Sequence, residues 1–376
     1  MEQLRRLIFA AAVLILMVLN GPTVWAASFT VTNLVSNIPG LASITDPALR
    51  NPWGMSFTSS SPIWTSNQGT NTADLFIIHG VSVTQNSLEV SIPMTAGGPQ
   101  GPTGQVSNST TSFRLGNGNP AAFIFANLNG TISAWNGAAG TAAQIQATTP
   151  GAVYTGLAMG NSNLGPTLYA ANGVTGAIDV FNGTFTPSNL GVGAFNNPFP
   201  GLVPFNVQNL GGKIYVTYAL PGRPAQIAAH EGQGGVAVFD QNGVLLQKLI
   251  TGSRLASPWG VTFAPLGFGD FAGDLLVGNF SFVAGEINAF DPVTGAFRGQ
   301  VVADPKFQGL WAITFGNGGN GGDTNILYFS TGLNQEGDGL LAAITTPEPN
   351  SFVLLLIALA GVCTLGLHSY SVRRSG

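Results

Sequence analysis

Six copies of one short pattern predict an all-β fold, a six-bladed β-propeller. Each copy has a small residue, an aliphatic two positions on and a large apolar residue three further, often closed by Asn or Asp. The copies are "ADLFIIH" from Ala73, "GTISAWN" from Gly130, "GAIDVFN" from Gly176, "GGVAVFD" from Gly234, "GEINAFD" from Gly285 and "GLLAAIT" from Gly339. Their starts are separated by 57, 46, 58, 51 and 54 residues, a spacing irregular in length but regular in order. Units of roughly 40 to 50 residues holding about four short strands are what a propeller blade requires.

A second element opens several units: "NPWGMSF" from Asn51, "SPWGVTF" from Ser257 and "GLWAITF" from Gly309. Between the two elements lie short runs rich in aromatic and β-branched residues, "PIWTSN", "TLYAAN", "KIYVTY", "DLLVGN" and "ILYFST", bounded by Gly, Pro and Asn turns. No stretch of the body keeps a helical period, and a β-sandwich would not repeat one order of strands six times. Trp53, Trp259 and Trp311 are therefore expected at equivalent buried positions, and Phe181, Phe239 and Phe290 likewise on the closing strands. "FTVTNLV" from Phe29 alternates like a strand and is expected to complete the last blade, removing an exposed sheet edge.

The two ends differ from the body. At the start, Arg5 and Arg6 precede an apolar run from Leu7 to Leu19, Gly21-Pro22 breaks it, and Val24-Trp25-Ala26 offers a cleavage site, so residues 1–26 read as a secretory signal peptide cut at Ala26. At the other end Phe352 to Leu367 is apolar throughout, extendable to residue 370, and is followed by Arg373-Arg374. This is expected to form one transmembrane helix over 352–370 with its charged end in the cytoplasm. The body between them, residues 27–345, is expected to carry no disulfide, because the single cysteine, Cys363, lies in the apolar run.

Composition narrows the partners. The 376 residues are only 7% charged, with twelve Lys+Arg and a net charge of −4, so no basic patch exists to neutralise phosphates and no nucleic-acid partner is expected. The Asn, Thr and Gly-rich surface with scattered aromatics suits uncharged ligands.

Candidate chemistry is sparse. "GNGGNG" at 316–321 satisfies G-x-G-x-x-G but leads into the strand "ILYFS" and no helix follows to cradle a pyrophosphate, so it reads as a flexible inter-strand loop. No G-x-S-x-G elbow is present, and the body has two histidines, His79 and His230. His230-Glu231 sits in a long insertion, "RPAQIAAHEGQGG", and is a candidate loop site because long loops on rigid scaffolds carry function. Asn67, Asn127, Asn172 and Asn279 each follow a core strand and are candidate ligands at the channel rim. Their competing role is local, since Asn tolerates turn geometry and bonds its own backbone. Carrying no carboxylate, that ring predicts no metal site and no cofactor, Ca²⁺ being the one ion it would suit.

Two resemblances extend these readings. Pro347-Glu348-Pro349, the apolar helix and the Arg-containing tail together resemble the PEP-CTERM sorting signal, over residues 346–376. That resemblance implies handling by an exosortase and an association with extracellular polysaccharide. The Trp-containing turns and following strands resemble NHL-type six-bladed propellers, and the segment "GLWAITFGNGGNGGDTNILYFSTGLNQEGDGLLAAI" is similar to a family of uncharacterised exported propellers, many with PEP-CTERM tails. They imply export through the Sec translocon and signal peptidase, an inner-membrane anchor with a periplasmic body, and later release to the cell surface or outside. The expected role is non-enzymatic binding of a polysaccharide or envelope protein; the alternative is a metal-dependent hydrolase of the lactonase and gluconolactonase kind, which six-bladed propellers also support.

Expression with and without an exosortase tests the terminal readings. Intact mass is expected to show loss of residues 1–26 in both cells, and loss of the Arg373-Arg374 tail only where the exosortase is present. An intact tail in both refutes the sorting signal.

Overall fold

In the computed structural model, which describes residues 29–301 and 307–346, six antiparallel sheets form a ring. The chain begins with β1 (Thr30–Ser36) and a short parallel partner, β2 (Ile44–Thr45). Blade 1 follows as β3 (Pro52–Ser56), β4 (Ile63–Asn67), β5 (Thr72–His79) and β6 (Ser82–Ser91). Blade 2 is β7 (Pro102–Ser107), β8 (Phe123–Asn127), β9 (Thr131–Trp135) and β10 (Gln144–Thr148), and blade 3 is β11 (Tyr154–Ser162), β12 (Gly165–Asn172), β13 (Ala177–Asn182) and β14 (Pro187–Ser188). Blade 4 comprises β15 (Val203–Leu210), β16 (Lys213–Ala219), β17 (Gly234–Phe239) and β18 (Leu245–Thr251). Blade 5 comprises β19 (Pro258–Phe263), β20 (Leu275–Asn279), β21 (Ile287–Phe290) and β22 (Phe297–Val301). Blade 6 takes β23 (Leu310–Phe315), β24 (Leu327–Thr331) and β25 (Leu340–Thr345) from the end of the body, and its fourth strand is β1, paired antiparallel from Thr30↔Thr345 to Ser36↔Leu340.

The all-β, six-bladed fold and its closure by the N-terminal strand are thus as the sequence predicts. The repeated pattern marks the third strand of every blade, β5, β9, β13, β17, β21 and β25. Phe181, Phe239 and Phe290 do occupy equivalent, fully buried positions, paired with Leu168, Ile214 and Leu275. They are not on closing strands, however. A further outer strand, β14, β18 or β22, lies beyond each, and its exposed, less apolar sequence hides it from a hydrophobic pattern. The leader over 1–26 with Ala26, the motif Pro347-Glu348-Pro349, the helix over 352–370 and Arg373-Arg374 lie outside the described residues. Among the described residues no helix is long and apolar enough to cross a membrane.

The Trp-containing turns are the inner strands β3, β19 and β23, and "PTGQ", "YTGL" and "PFNV" supply the other three. In all six blades the register against the second strand shifts at this point, a bulge that re-aims one side chain toward the axis. Trp53, Phe205, Trp259 and Trp311 meet there. Trp53 stacks on Trp311 with centroids 3.6 Å apart, lies 6.3 Å edge-on from Trp259 and 6.4 Å from Phe205, and Trp259 is 5.7 Å from Trp311. All four are at most 2% exposed, so at this level the channel is filled. The next residue must be small where neighbouring inner strands touch. A Cβ on Gly104 would stand 2.2 Å from the Leu157 nitrogen, and one on Gly260 2.5 Å from the Trp311 carbonyl.

Side chains bind the blades where the glycines let them approach. Gln105 Nε2 donates to the Gly54 and Trp64 carbonyls, Thr103 Oγ1 to Tyr154 O, Asn206 Nδ2 to Trp259 O and Ser330 Oγ to Trp53 O. Farther out, apolar clusters fill the wedges between blades, as where Trp64 stacks on Phe123 at 4.1 Å and faces Trp135. The 316–321 loop lies between β23 and β24. It is pinned to blade 1 and is not the flexible loop expected: Asn317 Nδ2 donates to Thr58 O and Ser61 O, and Ile78 N to Asn320 O.

Removing Trp259 leaves a large cavity at the axis, so Trp259→Ala is expected to cost about 3 to 5 kcal/mol in chemical denaturation. His230→Ala, at an exposed loop position, is expected to change stability by less than about 1 kcal/mol. Equal small effects would show that the axis does not carry the fold.

Candidate functional site

In this meander the loops after second strands and those before first strands gather at one end of the ring. Two of them reach over the aromatic plug. Loop 220–233, between β16 and β17, carries the short helix α1 (Arg223–Ile227), whose start Pro224 favours by supplying a preset φ. The helix is held from several sides: buried Gln226 donates to Leu220 O, Phe282 N donates to Ile227 O, and Ser281 Oγ donates to Ala229 O. This places the Arg223 guanidinium 4.0 Å from the Phe280 ring centroid, 4.6 Å from that of Trp311 and 4.9 Å from that of Trp53.

Loop 332–339, between β24 and β25, brings the counter-charge. Glu336 accepts from Arg223 Nε at 2.8 Å through Oε2 and from Arg223 Nη2 through Oε1, a two-pronged pair. Its Oε1 also accepts from Asn51 Nδ2 at 3.0 Å, Asn51 Nδ2 reaches Gln68 Oε1 at 2.7 Å, and Asn51 Oδ1 accepts from Trp311 Nε1 at 2.8 Å. The pair is mostly covered, with side chains 28% and 16% exposed. Burial lowers the Arg223 pKa and the Glu336 carboxylate pulls it back up; starting so high, the guanidinium stays charged.

The backbone under Glu336 is unusual. Asn334, Gln335 and Glu336 have φ of 50°, 58° and 69°, three consecutive non-glycine residues in the left-handed region, and Asn51 joins them at 45°. Each such residue costs on the order of 1 kcal/mol or more, and strain of this kind gathers at binding sites and clamps. Arg223, Glu336 and Asn51 are not among the residues that the sequence marks as candidates. The available signal was weak: Arg223 opens the singled-out insertion, and Asn51 directly precedes a Trp-containing turn.

The predicted candidates are placed differently. His230 and Glu231 lie on the outer part of the same insertion. The His230 nitrogen donates to Gln233 Oε1, and both Glu231 oxygens accept from Arg254 Nη1, in an exposed ion pair. Asn67, Asn127, Asn172 and Asn279 do end the second strands of four blades at matching registers, one strand out from the channel. Three amides turn into their own blades, Asn67 Nδ2 to Thr72 and Asp74, Asn127 Nδ2 to Thr131 and Ser133, and Asn172 Nδ2 to Asp179, while Asn279 Nδ2 donates to Arg254 O in the connection that enters blade 5. Asn172 and Asn279 spend their Oδ1 on backbone N–H groups, while Asn67 and Asn127 keep a buried Oδ1 with no hydrogen-bond partner. Among the described residues no group of three or more His, Cys, Asp or Glu is placed to share a metal ion.

A second buried group of titratable residues sits at the seam where the N-terminal segment enters blade 1. Asp46, after β2, and Asp74, on β5, are buried and hydrogen-bonded to one another. Asp46 also accepts from Ala48 N and Gln85 Nε2, and Asp74 accepts from Asn67. Burial, then the Asp46 charge, then Glu89 across the strand push Asp74 up to about 8, and burial raises Asp46 as well. At neutral pH the pair therefore holds a proton.

No family model matches the chain. Two uncharacterised proteins of Acanthamoeba polyphaga mimivirus are similar to it along most of both lengths. One is 29% identical over 344 residues, covering 86% of this chain and 82% of the relative, and the other is 28% identical over 348 residues, covering 87% and 88%. Among solved structures, a streptogramin B lyase superposes with a TM-score of 0.50 at 12% identity, over 84% of this chain and 97% of that one, which supports the propeller fold alone.

The Asp74 geometry fixes a pH dependence. Its folded pKa lies above the ordinary carboxylate value, so between about pH 4 and 8 the folded state holds a proton that the unfolded state has released. Stability from this group is complete below that window, falls as pH rises through it and levels off above about 8. Asp74→Asn is expected to flatten the fall in melting temperature between pH 6 and 9; an unchanged slope would place the titration elsewhere.

Proposed function

We propose that the protein is an exported binding propeller that engages its ligand over the plugged mouth of the ring and performs no chemistry of its own. The observation that carries this reading is the assembly of Arg223, Glu336, Asn51 and Gln68 above the aromatic plug. It is a polar, charged surface built from three blades on a rigid floor, with backbone strain concentrated in it. The filled axis supports binding on the face rather than within the channel. Propellers use their loop-rich face in this way because the sheets fix the loops without taking part. The export leader over 1–26 and the sorting signal over 346–376 support an extracellular or envelope ligand, with polysaccharide the class that the sorting resemblance implies.

The metal-dependent hydrolase remains the second reading, favoured by one observation: the buried, unpartnered Oδ1 atoms of Asn67 and Asn127 are of the type a Ca²⁺ ion takes. Their separate blades and the absence of a shared carboxylate set among the described residues weigh against it.

The purified full chain, applied to an array of bacterial extracellular glycans, is expected to bind at least one. Gln68→Ala and Arg223→Gln are expected to weaken that binding at least ten-fold, and Gln247→Ala on the outer strand β18 to leave it unchanged. Uniform effects at all three positions would remove the mouth as the binding face. Calcium-dependent turnover in a lactone and ester screen would favour the hydrolase.

A further inference from the structure

The mouth contains a finished receptor for a carboxylate, and the chain's own Glu336 occupies it. Three donors converge on the Glu336 carboxylate: Arg223 Nε and Nη2 as a fork, and Asn51 Nδ2 from a second blade. A planar fork with a third donor is the arrangement by which proteins bind carboxylates with geometric selectivity. The donors are fixed independently of Glu336. Arg223 has its guanidinium carbon within 4.9 Å of the ring centroids of Phe280, Trp311 and Trp53 and is carried by a helix anchored to blade 5, while Asn51 is tied to Trp311 and Gln68.

The acceptor side is built in the opposite way. Glu336 reaches the fork only through three successive left-handed residues, 334–336, beside the local bonds Gly337 N to Asn334 O and Asn334 Nδ2 to Asp338 Oδ2, while the loop is anchored at its base, where Asn51 N donates to Asp338 O and Asn37 Nδ2 to Asp338 Oδ1. Withdrawal of Glu336 relieves that backbone and leaves the receptor standing, whereas withdrawal of Arg223 would uncover three aromatic rings. Of the two partners, Glu336 is the one an incoming group can replace at least cost.

We infer that loop 332–339 is an internal competitor, and that the mouth binds ligands through a carboxylate that displaces Glu336. This rests on the binding face proposed above and changes its chemistry: a body with 7% charged residues suits neutral ligands, yet one of its few arginines is mounted to read an anion. The shared chemistry is a carboxylate on a small carrier, supplied by a uronate of an acidic saccharide or by the C-terminus of a peptide.

The test uses the full chain and three probes, glucuronate, an N-acetylated dipeptide and glucose, with the indole N–H of Trp311 as a reporter of the Asn51 contact. Glu336→Ala is expected to bind at least one of the two carboxylates ten-fold or more tightly than the native protein, because the competitor is gone. Preference for glucuronate identifies a saccharide source, and preference for the dipeptide a peptide one. Glu336→Gln is expected to show a smaller gain in the same direction, and serves if the alanine variant is poorly folded. Adding Arg223→Gln to Glu336→Ala is expected to abolish the gain. The inference is overturned if neither Glu336 variant gains affinity, if glucose binds as well as the better of the two carboxylates, or if the gain survives loss of Arg223. If the Glu336 variants gain nothing while Gln68→Ala still loses glycan binding, the carboxylate receptor fails and the binding face stands.

Discussion

The contact between neighbouring inner strands at the axis is the constraint on which the rest of the molecule depends. Six strands can converge only if the residue facing the next strand is small or bonds to it. The chain answers with glycine in most blades and with Asn206 donating to Trp259 O in blade 4. Convergence leaves a narrow space, and the bulge at the head of each inner strand turns one side chain into it. Aromatic rings from four blades fill that space, and their upper faces become the floor on which Arg223 rests. A floor of this kind can hold a guanidinium that water would otherwise solvate, because the rings contribute attraction without competing hydrogen bonds. The packing that closes the ring and the surface that holds Arg223 at its mouth are therefore one arrangement seen from two sides.

Most of the fold was legible in the sequence because each blade repeats a physical requirement. Buried third strands need an aliphatic and a large apolar residue on one face, and inner strands need a residue for the axis followed by a small one. Those needs wrote the copies from Ala73 to Gly339 and the three Trp-containing turns. Where the axis residue is Thr103, Thr155 or Phe205 the same requirement is met without tryptophan, and the repeat was invisible. Outer strands were illegible for a related reason: β14 and β22 face solvent, so burial does not constrain their composition.

The candidate site was far less legible. Arg223, Glu336 and Asn51 come from three blades and are separated by more than a hundred residues in every pairing, so no local spacing marks them. What distinguishes them is conformation and neighbourhood, neither of which composition records. His230-Glu231 was conspicuous in the sequence because it lies in a long insertion, but the outer part of that insertion places it in an exposed pair with Arg254, away from the mouth. The four asparagines show the converse. Their regular placement was real, and it reflects a repeated strand end that an amide fastens, to its own hairpin in three blades and to the entering connection at Asn279.

Closure of blade 6 by β1 has a consequence for the order of assembly. Thr30 must pair with Thr345, and holding two points so far apart on a flexible chain would cost about 5 kcal/mol in loop entropy before any contact repaid it. Blades 1 to 5 pair strands that are neighbours in the chain and need no such step, so they can form while the first strand waits. The N-terminal segment is thus the earliest part of the body to be synthesised and the last to find its place. Until it does, the third strand of blade 6 presents an unpaired edge able to accept a strand from another copy. During that interval the molecule's main hazard is exchange of this one strand between chains at the open edge of β25.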